Sequence, residues 1–225
     1  MFLIACKSLL PFSAIAIGIY SFQFMNLFFK MIFSYIFITI VTFTLSIQVI
    51  MYMRTLHLTP NNHWVYNISL PIEILFLMSA AYFYLKNTFL QHLSIIALVL
   101  FSAVYLSEMF FKNIMSYLNY TDSFKSLLIV VVFCIILYKE FIVLKTFWFC
   151  SPVICVSLGL IIYSGCSLPY ISLFSYFESN ASEKYNLLFR LLNIIPANIM
   201  YILFSISFWL IRYDALLKPK YVPKQ

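Results

Sequence analysis

The sequence predicts an all-α protein, a polytopic membrane helix bundle of about seven transmembrane helices. Of its 225 residues, 64% are hydrophobic and only 9% are charged, whereas soluble domains carry roughly 25% charged residues. The apolar stretches reach the ~20 residues that a membrane-spanning helix needs. They are also continuous, which excludes a transmembrane β-barrel built from alternating segments of ~10 residues. Lipid must therefore be the solvent for most of the surface.

The first 53 residues contain two charges, Lys7 and Lys30. As a single helix this segment would be about 80 Å long at ~1.5 Å per residue, against a hydrocarbon core of ~30 Å. We therefore predict two spans, 8–26 and 31–53, with a turn between Asn26 and Lys30.

The third span is predicted to begin at Ser69, after a polar loop that runs from Arg54 to Ile68. Ser69 is a suitable N-cap, and Pro71 would then lie in the first turn, where proline loses no helical hydrogen bond. The remaining spans are predicted at 92–111, 126–144, 147–167 and 186–212, with a bend at Pro152 and polar loops at 112–125 and 168–185. The chain has no internal repeat and no linker long enough to divide it, so we predict that residues 1–213 form one seven-helix domain and residues 214–225 a basic tail.

The net charge of +7 does not indicate nucleic-acid binding, because the basic residues are scattered over the loops and form no patch. Counting them predicts orientation, since cytoplasmic loops carry more Lys and Arg. With the tail inside, the cytoplasmic side holds Lys30, Lys86, Lys139, Lys145, Arg212, Lys218, Lys220 and Lys224, and the outer side holds Lys7, Arg54, Lys112, Lys125, Lys184 and Arg190. We predict an N-terminus outside and a cytoplasmic C-terminus. The abundance of Phe, Ile, Tyr, Asn and Lys indicates an AT-rich genome, so the expected location is a bacterial inner membrane.

Three charged residues are predicted near or within the outer half of the membrane, namely Glu73, Glu108 and Arg190. Charges at membrane depth usually mark function, although carboxylates near helix starts and a snorkelling arginine also serve as interfacial anchors. Asn193 lies on the same helical stripe as Arg190, and Tyr66 on that of Glu73. We therefore predict that spans three and seven are neighbours and that Glu73 pairs with Arg190. The predicted outward-facing binding pocket comprises Glu73, Arg190, Asn193, Tyr66, Glu108, His63 and Asn67; the alternative is a polar interior that only bonds helices together.

Enzymatic chemistry has little support in the sequence. The histidines are His57, His63 and His92, and the last is predicted on the opposite membrane face, so no catalytic or metal site is expected. No lysine lies midway along the last span, which excludes retinal attachment, and the five cysteines contain no Cys-x-x-Cys pair. We expect no cofactor and no enzyme activity.

The segment Asn62-His63-Trp64-x-Tyr66-Asn67, followed by Pro71-Ile72-Glu73, resembles a pattern in uncharacterised seven-helix bacterial inner-membrane proteins. The resemblance implies a bacterial membrane protein, with signalling or defence genes as expected neighbours, and implies no particular activity.

Two functions fit these features. The first is a membrane sensor or accessory subunit that passes a signal to an unknown protein partner, since no loop is long enough for a soluble output domain. The second is a small-molecule transporter or channel, although only three glycines occur and the broken helices of many carriers are not evident. Expected partners are the lipid bilayer, that protein and a small-molecule ligand.

Overall fold

The computed structural model describes residues 2–58, 61–143, 151–180 and 183–217, with side chains described over 10–58, 61–142, 151–172 and 191–216. These ranges contain seven α-helices, one 3-10 turn (Phe22–Phe24) and no strand, which confirms the all-α prediction. The helices are α1 (Phe2–Ser21), α2 (Leu27–Thr55), α3 (His63–Tyr84), α4 (Thr88–Phe111), α5 (Asn119–Val143), α6 (Pro152–Asn180) and α7 (Glu183–Leu217).

Five of these helices are long and apolar enough to cross a membrane by length and composition. They are α2, α3, α4, the Pro152–Ser172 part of α6 and the Leu191–Leu216 part of α7. The described apolar segment of α1 is shorter, Leu10–Phe24, and α5 carries charged residues near both ends. The protein is therefore an integral membrane helix bundle.

The turn between α1 and α2 comes slightly earlier than predicted. The chain leaves α1 through the 3-10 turn, and Asn26 then caps α2, with its side-chain oxygen accepting a hydrogen bond from the Phe29 amide at 3.2 Å. Such a cap satisfies one of the amides that a helix start leaves without a partner.

Helix α3 begins six residues before the predicted start, at His63. Ser69 does not cap it; its hydroxyl instead donates to the Tyr66 carbonyl at 2.8 Å and to Glu73 Oε1 at 3.2 Å. Pro71 therefore lies inside the helix, where it cannot donate to the carbonyl of Asn67. The consequence is that Glu73 lies near the middle of α3, about 15 Å from its start at ~1.5 Å per residue, rather than one turn below the surface.

Helix α5 also begins early, at Asn119 rather than 126. The predicted polar loop 112–125 is thus reduced to 112–118, and Asp122 and Lys125 become helical residues inside the bundle. Both are buried or nearly so. The sequence prediction placed them in a loop because of their charge.

At the far end of the chain, most of the predicted loop 168–185 is helical. α6 continues to Asn180 and α7 begins at Glu183. Pro152 is the first residue of α6 and not a bend within it, a position where its fixed φ suits a helix start. The predicted connection between the spans 126–144 and 147–167 and the part of the basic tail after Leu217 lie outside the described residues.

Sequential helices pack against one another, and the pair α6 and α7 has the most extensive contact. Helix α7 also packs along α1, which closes the bundle. Helix α3 packs against α2, α4 and α5 and, among the described residues, forms no packed pair with α7. The predicted side-by-side arrangement of spans three and seven is therefore wrong, because a cavity separates them.

Candidate ligand-binding cavity

A cavity of about 600 Å³ lies between six of the seven helices. Only α4 contributes no lining residue. The lining comes from Pro11 and Phe12 of α1, positions 35–48 of α2, 63–73 of α3, 122–129 of α5, 163–171 of α6 and 193–201 of α7, together with Asn62 and Tyr117 outside the helices. A volume in the range of about 300–1,000 Å³ is typical of small-molecule sites.

The cavity occupies one half of the bundle. Its lining belongs to the end where α2 finishes and α3 and α5 begin, which we call the cavity end. At the opposite end the same helices are filled by buried apolar side chains, including Phe28 and Ile32 of α2, Met78 of α3, Phe133 of α5 and Phe208 of α7. Within the described part of the chain, the space therefore ends at a packed core and does not continue to the opposite end.

Three charged side chains lie together on the cavity wall. Lys125 of α5 places its ammonium 3.0 Å from Glu73 Oε2 and 2.9 Å from Asp122 Oδ1. The side chains are only 10–13% exposed. The pair of Lys125 with Glu73 links α5 to α3, and removing one partner from such a buried pair is strongly destabilising.

Neutral hydroxyls complete the triad. Ser69 donates to Glu73 on one side, at 3.2 Å, and Tyr117 donates to Asp122 on the other. Loss of solvent around the ring, and then the charge of Asp122, raise the pKa of the Tyr117 hydroxyl well above its usual range. Tyr117 therefore remains protonated and acts as a donor to the carboxylate.

Tyrosines form much of the remaining wall. Six line the cavity: Tyr35, Tyr66, Tyr117, Tyr163, Tyr170 and Tyr201. Tyr201 of α7 is 8% exposed, and it borders the cavity. A buried hydroxyl that borders a cavity is available to a bound molecule.

Four of the seven predicted site residues line this cavity: Glu73, Tyr66, His63 and Asn193. Asn193 accepts a hydrogen bond from the Ser167 hydroxyl at 3.2 Å, which links α6 to α7. The side chain of Arg190 is not among the described side chains, so its pairing with Glu73 stays a prediction. The partner that the structure gives Glu73 is Lys125.

Asn67 lies on a different face of α3 and does not border the cavity. It is fully buried, and its amide nitrogen donates to the carbonyls of Ile114 and Ser116, both at 2.7 Å. Its oxygen accepts from the Leu118 amide at 3.4 Å. The side chain thus fastens the loop between α4 and α5.

Glu108 is likewise buried away from the cavity, near the end of α4. Its carboxylate accepts from the Thr121 amide at 2.6 Å, the Thr121 hydroxyl at 2.8 Å and the Tyr120 amide at 3.3 Å. Lys112 pairs with it at 2.7 Å. A carboxylate at this position satisfies free amides in the first turn of α5 and is favoured by the helix dipole.

Lys125, Asp122 and Tyr117 were missed in the sequence analysis. The available signal was spacing: Asp122, Lys125, Ser126 and Ile129 follow i, i+3, i+4 and i+7, which places them on one helical face. Recognising this face requires a helix that starts before position 122, and that start depends on Glu108 from another helix.

A second polar network holds the opposite end together. The Tyr84 hydroxyl of α3 donates to Glu140 of α5, and Ser151 donates to the same carboxylate at 2.8 Å. Arg212 of α7 donates to the Tyr20 carbonyl of α1 at 3.0 Å and lies over the Tyr20 ring. These bonds join helices where the cavity is absent.

No protein-family model, curated protein or solved structure matches this chain. The class of protein is thus defined by its own structure: an integral membrane helix bundle with a cavity in one half.

Proposed function

We propose that this protein is a membrane sensor or accessory subunit without enzymatic activity, which binds a small molecule in the cavity and passes the signal to a protein partner. The observation that carries the proposal is the one-sided cavity. It is large enough for a metabolite-sized ligand, whereas the opposite half of the bundle is a packed apolar core. A receptor needs access from one side only.

A route for the signal follows from the helices that share the cavity and the core. A ligand in the cavity would contact α5, α6 and α7. These helices continue to the opposite end of the bundle, where Glu140 and Arg212 form hydrogen bonds with other elements. The signal would be an equilibrium between two arrangements of these helices. A ligand shifts that equilibrium only by the difference between its affinities for the two arrangements.

For location we propose a bacterial inner membrane with the cavity end outside and the C-terminus in the cytoplasm. The resemblance of residues 62–73 to bacterial inner-membrane proteins supports the location. The count of lysine and arginine residues supports the orientation. Lys125 belongs to the buried triad and is therefore no longer counted among the basic residues of the outer loops. Five basic residues then remain outside against eight inside.

The test is to purify the protein from native membranes and identify small molecules that it retains. Ala197 borders the cavity, so Ala197→Trp should fill it, whereas Ala103→Trp adds the same side chain on an exposed face of α4. We expect a molecule retained by the wild type and by Ala103→Trp but absent from Ala197→Trp. Equal retention by all three would contradict the proposal.

Transport is the alternative function, and the buried triad favours it, since ion pairs within membrane helices often belong to substrate pathways. The two functions differ in one measurement. In proteoliposomes, the retained molecule should raise the thermal stability of a sensor without entering the lumen. Accumulation in the lumen that Ala197→Trp abolishes would establish transport instead.

A further inference from the structure

We propose that the cavity binds an organic cation, a small amine or quaternary ammonium compound. This inference rests on the proposed function and specifies the ligand of the same site. Three features of the described lining carry it: the charge balance of the triad, the aromatic wall and the hydroxyl of Tyr201.

The triad contains two carboxylates and one ammonium. Glu73 and Asp122 share Lys125, and no other charged side chain lies among the described lining residues. Among the described lining residues, one negative charge therefore remains without a counter-charge in a place shielded from water, where an uncompensated charge is unfavourable. A cation that enters the cavity balances it.

The wall around the triad suits a cation with an organic body. Six tyrosines border the space, and the faces of aromatic rings attract ammonium groups, most strongly where water is excluded. Tyr201 adds the hydroxyl of a buried side chain at the cavity wall. It can accept a hydrogen bond from an amine or donate one to a polar group on the ligand.

A metal ion is a poorer fit than an organic cation. No group of three or more His, Cys, Asp or Glu side chains within the described ranges is arranged to hold a metal. A cavity of about 600 Å³ also greatly exceeds the space of one hydrated ion.

The experiment compares ligands that differ in charge and little in shape. Purified full-length protein in detergent is titrated with choline, benzyltrimethylammonium and tetrabutylammonium, and the shift in unfolding temperature gives an apparent Kd. The neutral counterparts are 3,3-dimethylbutanol and neopentylbenzene, and benzoate serves as an anion. We expect at least one of the cations to bind ten-fold or more tightly than the neutral and anionic compounds.

Variants then locate the site. Glu73→Gln removes the surplus charge but keeps the pair of Lys125 with Asp122, and should weaken cation binding at least ten-fold. Tyr201→Phe should weaken it several-fold. Asp214→Asn removes one negative charge at an exposed position of α7 and should leave the affinity unchanged.

Each result has a distinct meaning. Preference for the neutral or anionic compounds, or cation binding that Glu73→Gln leaves intact, would overturn the cationic ligand. A molecule retained in the cavity but uncharged or anionic would also overturn it while leaving the proposed sensor standing. If no cation changes the unfolding temperature, the cationic assignment fails, and the Ala197→Trp retention experiment decides separately whether the cavity binds a ligand at all.

Discussion

Lys125 is the residue on which the cavity wall depends most directly. It is the only cation in the described triad, and it joins α3 to α5 through Glu73 while also pairing with Asp122 in its own helix. Removing Lys125 would leave both carboxylates without a counter-charge, whereas removing one carboxylate would leave Lys125 paired with the other.

We therefore predict that Lys125→Met lowers the free energy of unfolding by about 3–5 kcal/mol, because two carboxylates are left facing each other. Glu73→Gln should cost about 1 kcal/mol or less, since it loses one charged hydrogen bond but removes the surplus charge. Lys86→Met, at an exposed position, serves as the control. Chemical unfolding in detergent micelles measures all three. If Glu73→Gln proved as damaging as Lys125→Met, the charge balance described for the triad would be incorrect.

Asn67 shows how one buried amide can determine the course of a loop. We predict that Asn67→Ala exposes the 112–118 loop to proteolysis and destabilises the protein, because the carbonyls of Ile114 and Ser116 lose their partner at about 1–3 kcal/mol per unsatisfied group. Asn113→Ala changes the same residue type at an exposed position of that loop and should have little effect. The readout is limited proteolysis followed by mass spectrometry, and equal cleavage of both variants would contradict the assignment.

The start of α5 is determined by a residue of another helix. Asn119 and the residues after it include Thr121, Asp122 and Ser123, which are weak helix formers that favour caps and turns. Glu108 of α4 accepts from the amides of Tyr120 and Thr121 and so compensates for that weakness. The early start in turn carries Asp122 and Lys125 into the bundle.

We predict that Glu108→Ala frays the first turn of α5. Hydrogen exchange should become faster at residues 120 and 121, because their amides lose the Glu108 carboxylate as acceptor. Ser107→Ala, on an exposed neighbouring position, should leave exchange at those residues unchanged. Slow exchange in Glu108→Ala would show that α5 begins at Asn119 without this contact.

The whole molecule has two ends of different character. The cavity end contains the buried charges, whereas the opposite end is an apolar core bordered by the contacts of Glu140 and Arg212. The two ends therefore differ in charge and in packing, which is the difference that the sensor proposed above requires.

This arrangement predicts labelling from opposite sides of the membrane. In a background without native cysteines, Leu58→Cys lies at the cavity end between α2 and α3, and Asn87→Cys lies at the opposite end between α3 and α4; both positions are exposed. A membrane-impermeant maleimide applied to intact cells should label only Leu58→Cys. Lysed cells provide the control in which both react. Labelling of Asn87→Cys alone in intact cells would reverse the proposed orientation.

The sequence by itself determined the class of fold. Long apolar runs and scarce charges leave a helix bundle as the arrangement that satisfies backbone hydrogen bonds in lipid, and all seven predicted helices are present. It also identified Glu73 and Tyr66 as inward-facing, because helical spacing alone places residues on a shared stripe. Asn193 and His63 reach the same cavity.

Only the tertiary structure decided which charges meet. Local rules placed the starts of α3 and α5 after their polar residues, since Ser69 resembles a cap and Asp122 and Lys125 resemble a loop. The helices start earlier because distant groups satisfy their polar atoms. Asn67 of α3 donates hydrogen bonds to carbonyls of the 112–118 loop, and Glu108 accepts hydrogen bonds from the first amides of α5. Contacts between residues about 13 to 52 positions apart in sequence are invisible to helical periodicity, and they bring Lys125 to Glu73.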